Sequence, residues 1–154
     1  MKTVILYFGF LGTIFFMSAC KTDDDQKEWN YCDGCPNSIW DGEYEGTGNY
    51  YSMNNPEATE EVTVIVTVTE LQDNRIKFLV KSPDKFYKSF TGKKENTDYY
   101  FDLSATDRSI HTSLFQNASH YKLTGTAKSF VYKGDSMILE KSVSFEAFKE
   151  QLLK

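Results

Sequence analysis

From Ile39 onward the sequence predicts an all-β domain, an up-and-down antiparallel barrel of about eight strands. Three observations carry this. Residues 39–51 read IWDGEYEGTGNYY, so Trp40, Gly42, Tyr44, Gly46, Gly48 and Tyr50 share one face and polar residues share the other. Glu61 to Leu71 is β-branched almost throughout, with Val62, Val64, Val66 and Val68 on one side. Turn residues recur at short spacing, and no stretch between them carries a convincing helical period. Glycines on the dry face let a strand coil sharply, which favours closure over the alternative, a β-sandwich.

The remaining elements follow in order. Gln72-Asp73-Asn74 is a turn, and Arg75 to Lys81 places Ile76, Phe78 and Val80 on one face. Ser82-Pro83-Asp84 interrupts the pattern, because proline cannot donate to a central ladder. Phe86 to Thr91 resumes it with Phe86 and Phe90 in phase, and Gly92 to Asn96 is a polar turn. Tyr99, Phe101 and Leu103 mark the next strand, and Ile110 and Leu114 mark Ser109 to Gln116. After the break at Asn117-Ala118-Ser119, Tyr121–Tyr132 and Ser136–Phe148 form a hairpin across Lys133-Gly134-Asp135.

The hairpin arms supply Tyr121, Leu123, Gly125, Ala127 and Val131, then Met137, Leu139, Val143, Phe145 and Ala147. Lys141 is the exception in phase. Ser144 to Lys154 also fits a short capped helix through Phe145, Phe148 and Leu152, although strand is preferred for most of it.

The N-terminus is not part of that fold. Lys2 precedes an apolar run from Val4 to Phe16, which ends in the small-residue exit Met17-Ser18-Ala19-Cys20. This resembles the lipobox of bacterial lipoproteins. The resemblance implies cleavage before Cys20, a diacylglyceryl group on its sulfur, and a lipid bilayer as partner. Three segments follow: a signal peptide over 1–19, a lipidated cysteine and polar tether over 20–37, and the barrel over 38–154. Lys21 followed by Asp23, Asp24 and Asp25 resembles the surface-export signal of Bacteroidota lipoproteins. That implies an outer-membrane location with the domain facing outward; a solvated acidic spacer is the alternative.

The 154-residue chain carries a formal net charge of −5, and loss of Lys2 with the leader makes it −6. Nucleic acid is excluded as a partner on this balance, and so is attraction to anionic headgroups.

With Cys20 lipidated, Cys32 and Cys35 remain, in Cys32-Asp33-Gly34-Cys35. Asp-Gly at the centre of a tight turn brings the end Cα atoms near disulfide range, and an exported chain meets an oxidising compartment. A local disulfide is expected. Zinc and redox roles are the alternatives, but no second C-x-x-C and no βαβ pattern accompanies the pair.

Trp40-x-Gly42-x-Tyr44 opening such a domain resembles the lipocalin-like lipoproteins of Bacteroidota. The resemblance covers about the last 115 residues. It implies an up-and-down barrel, in some members with a ligand cavity, and no established activity.

No nucleophile elbow, zinc-protease or phosphate-loop motif is present, so no enzyme activity, cofactor or metal is expected. His111 and His120 flank a turn and, with Asp102, can be arranged around a metal; two exposed histidines is the plainer expectation. Glu43 and Glu45 lie on one wet face, as solvated surface. Two functions stand. One is a binding module for a small apolar ligand or an envelope protein, its interior left open by Gly42, Gly46, Gly48 and Gly125. The other is a structural or interaction subunit of an envelope assembly, its interior filled by Trp40, Tyr44, Phe78, Phe101 and Leu123.

Overall fold

A computed structural model describes residues 28–93, 99–118 and 120–150. The expected signal segment, Cys20, the acidic run at 23–25 and the end of the tail lie outside the described residues. Nine strands are present among those described: β1 Asn30–Tyr31, β2 Gly42–Ser52, β3 Asn55–Leu71, β4 Arg75–Ser82, β5 Phe86–Lys93, β6 Tyr100–Ser104, β7 Arg108–Gln116, β8 His120–Lys133 and β9 Ser136–Glu150. The helical alternative for the tail is not realised, because β9 runs through Glu150.

All nine belong to one antiparallel sheet in the order β1-β7-β8-β9-β2-β3-β4-β5, with β6 also on β7. A sandwich would need two sheets. The hydrophobic alternation is the reason for the single face. Val62, Val64, Val66 and Val68 on β3, Ile76, Phe78 and Val80 on β4, and Val143, Phe145 and Ala147 on β9 are all buried.

The sheet is not closed: among the described residues β5 and β6 form no ladder. It does curl until these two edges approach. A Cβ at Gly92 on β5 would sit 3.1 Å from Leu103 Cδ1 and 3.2 Å from Phe101 Cζ on β6. Arg108 Nη1 donates to the Ser89 carbonyl of β5 at 2.9 Å. A side chain thus meets a backbone acceptor where a ladder would otherwise run.

The first strand, β1, lies where a tether was expected. Asn30 and Tyr31 pair with Gln116 and Phe115, and the Cys32 amide donates to the Leu114 carbonyl at 3.0 Å. Cys32 and Cys35 form a disulfide, with a Cα–Cα distance of 5.4 Å, and both are buried in the core. The chain therefore joins the sheet several residues before the expected boundary at 38. Ile39 and Trp40 also precede the first long strand, which begins at Gly42; Ile39 ends a 3-10 turn.

The structure has two ends. Gly42, Gln116, His120 and Glu150 lie at one, together with β1. The turns at 53–54, 83–85, 105–107 and 134–135 lie at the other. Among the described residues, two irregularities fall toward this second end, a register shift between Tyr50 and Ser52 on β2 and a bulge between β8 and β9. Ser129 pairs with Lys141 but Phe130 pairs with Leu139, so Glu140 is the extra residue of a bulge. Beyond it the inward phase expected for Val131 and Met137 is lost, and Met137 is exposed.

Candidate functional site

Two regions compete as a site: the interior and an open groove. The interior holds the five residues expected to fill it, Trp40, Tyr44, Phe78, Phe101 and Leu123. Trp40, Tyr44, Phe78 and Leu123 are fully buried and Phe101 is 2% exposed. The Trp40 and Phe78 rings meet edge to face at 6.0 Å, and Phe78 and Phe101 lie 4.7 Å apart. The Tyr44 hydroxyl donates to the Ile39 and Trp40 carbonyls, each at 3.2 Å.

The glycines do not leave space. A Cβ on Gly46 would run into Glu146 O and lie 2.7 Å from Ala147 Cα. One on Gly48 would lie 2.6 Å from Ser144 O and 3.0 Å from Val64 Cγ2. One on Gly125 would meet His111 O, with Thr112 Cβ at 2.9 Å and Phe145 Cζ at 3.0 Å. Neighbouring strands fill these positions, so the glycines serve close approach. Gly42 faces the stem of Lys149, whose Cδ would be 3.1 Å from a Cβ there.

The groove is at the second end. It holds about 520 Å3, and Ser82, Phe86, Lys88, Ser129, Glu140 and Lys141 are among its walls. Its base is the β4–β5 hairpin. Pro83 cannot continue the ladder, Asp84 adopts φ 58°, and the Lys85 amide closes the turn on the Ser82 carbonyl at 3.1 Å. Register places Ser82 opposite Phe86 and Lys88 opposite Val80, in phase with the buried face. Lys141 stands opposite Ser129 on that same face.

Ser82 is 3% exposed, and its hydroxyl has no hydrogen-bond partner. It is the only such buried side-chain atom among the described residues. Its neighbours are committed. Ser129 Oγ donates to Glu140 Oε2 at 3.1 Å, and Lys85 Nζ is paired with Glu60 at 2.7 Å, which raises its pKa. Lys141 Nζ makes a longer bond of 3.3 Å to the Lys85 carbonyl.

The sequence did not single out Ser82, Lys88 or Lys141 as a site. The available signal was polar residues in the inward phase: Ser82 follows Ile76, Phe78 and Val80, and Lys141 is the odd member of its strand.

The histidines do not converge. His111 pairs across the sheet with Thr126 and His120 with Glu150. His111 instead joins a surface trio. The Tyr100 hydroxyl lies 3.0 Å from both Asp102 Oδ2 and His111 Nδ1, and all three side chains are solvent-accessible. Among the described residues, no group of three His, Cys, Asp or Glu side chains is placed to hold a metal. Glu43 and Glu45 are exposed, and Glu43 accepts from the Thr67 hydroxyl at 3.5 Å.

Comparison with protein families, curated proteins and solved structures found no match to this chain.

Proposed function

We propose that this chain is a lipid-anchored lipoprotein of a bacterial outer membrane, of the lipocalin-like Bacteroidota kind. In this proposal its barrel-like domain binds a ligand or envelope partner through its exterior. The anchor rests on the resemblance of Met17-Ser18-Ala19-Cys20 to a lipobox, and the outward display on Lys21 and the acids after it. One observation carries the choice of exterior over interior. The Trp40–Phe78–Phe101 contact lies on the buried face of the curled sheet, where a carrier would hold an apolar ligand. Of the inward glycines, which would have to leave room for such a ligand, Gly46, Gly48 and Gly125 are met by backbone and Gly42 by the Lys149 side chain. The filled-interior function fits these contacts better than the apolar carrier does.

The test uses the full-length chain expressed in a Gram-negative host and purified in detergent. Its intact mass should show loss of residues 1–19 and addition of lipid, and Cys20→Ala should abolish both. An apolar fluorescent probe should not enter the domain. Phe78→Ala supplies the positive control: it leaves a void, costs about 3–5 kcal/mol, and should admit small apolar molecules. Uptake by the unaltered chain, displaced by a co-purified ligand, would overturn the exterior function.

A further inference from the structure

We propose that the groove beside Ser82 binds the phosphate group of a small phosphorylated molecule, with Ser82 Oγ, Lys88 Nζ and Lys141 Nζ as donors. This deepens the exterior function proposed above by naming its site and ligand class.

The first observation is the Ser82 hydroxyl. A buried hydroxyl without a partner is costly, and a native chain keeps one where something else completes it. Ser82 is among the residues that line the groove, with its hydroxyl set back beneath the surface, and a ligand oxygen seated against it would complete it.

The second is charge. Lys81, Lys85, Lys88 and Lys141 line the groove against two carboxylates, Asp84 and Glu140, within a chain whose net charge is −5. Lys85 is held by Glu60, and Glu140, which accepts from the Ser129 hydroxyl, keeps its charge, as does Asp84, so the groove retains one more ammonium than carboxylate. Lys81, Lys88 and Lys141 therefore carry the remaining positive charge of the groove; Lys88, on β5, also acts on Asp107, and Lys88 and Lys141, on β5 and β9, are the two in phase with the buried face.

The donor set selects the anion. Three separate donors on three strands, two of them compact ammonium groups, suit an anion with several oxygens pointing apart. A planar carboxylate is better matched by a guanidinium fork. The fork adjoining this region, Arg108, is already bonded to Asp107 and to the Ser89 carbonyl. The volume exceeds that of a bare ion, and Pro83 and Tyr87 on the wall give the body of the molecule apolar surface.

The experiment uses the full-length chain with four probes. These are inorganic phosphate, glucose 6-phosphate, unphosphorylated glucose, and phosphatidylcholine vesicles with or without phosphatidic acid. Calorimetry should show binding of glucose 6-phosphate and weaker binding of phosphate, but none of glucose. Lys88→Gln and Lys141→Gln should each weaken binding about tenfold, the scale of one charge-assisted hydrogen bond. Ser82→Ala should weaken it about threefold to tenfold without lowering the ligand-free Tm, so a folding defect cannot explain the loss. Lys77→Gln, on the exposed face, should have no effect.

Binding confined to phosphatidic acid vesicles, with the same sensitivity to Lys88 and Lys141, supports the site and assigns the phosphate to a lipid headgroup. No binding of any phosphate probe overturns the proposal, as does binding indifferent to the three variants. If the phosphate probes fail while the apolar probe stays out, only this site falls. If the apolar probe enters the unaltered chain, the exterior function falls with it.

Discussion

Lys149, at the end of the last strand, donates a 2.6 Å hydrogen bond to the carbonyl of Ile39, just before the first long one. A second bond of 2.6 Å reaches the Asp41 carbonyl, and the ammonium lies 4.7 Å from the Tyr44 ring centre. This one amine ties the final strand to the turn that carries Trp40.

Its protonation makes stability depend on pH. Burial pushes the Lys149 pKa from 10.5 down to about 8, against an upward pull from Asp41. Between these values the unfolded chain holds a proton that the folded chain has released, so stability should rise with pH from about 8 toward 10. Tyr44 has the opposite effect further on. Burial, then the charges of Tyr121 and Asp41, hold its pKa well above the usual 10.0. The unfolded tyrosine ionises first, and stability should fall above pH 10. Urea melts of Lys149→Met should lose the rise and keep the fall. A rise that persists in this variant would assign it to another group.

Gly46 and Gly134 should separate under the same change to alanine. At Gly46 the new methyl meets β9 backbone that cannot yield, and the loss should be about 3 kcal/mol or more. At Gly134 there is open space, and only the left-handed φ of 62° opposes substitution, at about 1 kcal/mol. Denaturant midpoints of the two variants measure the difference.

Reduction of the Cys32–Cys35 disulfide should destabilise the fold by only about 2 kcal/mol, because the loop it closes is short. The local effect should be larger. Amide exchange at Cys32, which donates to the Leu114 carbonyl just before this turn, should accelerate well ahead of exchange in β3.

Arg108→Gln should loosen the junction between β5 and β6. The Ser89 carbonyl loses its guanidinium donor, at a cost of about 1–2 kcal/mol, and β5 becomes a freer edge. Light scattering at raised concentration should show association that the unaltered chain does not. Unchanged scattering together with unchanged exchange in β5 would show that Gly92 packing alone holds the junction.

Much of this fold was legible because alternation is a direct physical consequence of the pleat. Val62 to Val68 had to share a face whatever their partners, and Trp40, Tyr44, Phe78, Phe101 and Leu123 had to be inside. Three features were not legible. Asn30 and Tyr31 carry no periodicity in two residues, and their pairing depends on a free edge of β7. The bulge at Glu140 moves the phase by one residue, which period counting reads as noise around Lys141. The groove joins residues far apart in sequence, Ser82 with Lys141, through a strand order that no local pattern encodes. The glycines left two readings open, an open interior or sharp coiling with close neighbours, since empty space and close approach look the same in a sequence; the contacts at Gly46, Gly48 and Gly125 are those of close approach.

The place where the chain enters the sheet gives the domain a direction. Asn30 pairs at Gln116, at the end remote from the turn that carries Ser82. From Cys20 to Asn30 the chain spans at most about 35 Å even when fully extended. With lipid on Cys20 as proposed, the β1 end is leashed near the bilayer and the groove looks away from it. Under that proposal the groove is reached from the side away from the anchor, and the leash length limits how far from its own membrane it can stand.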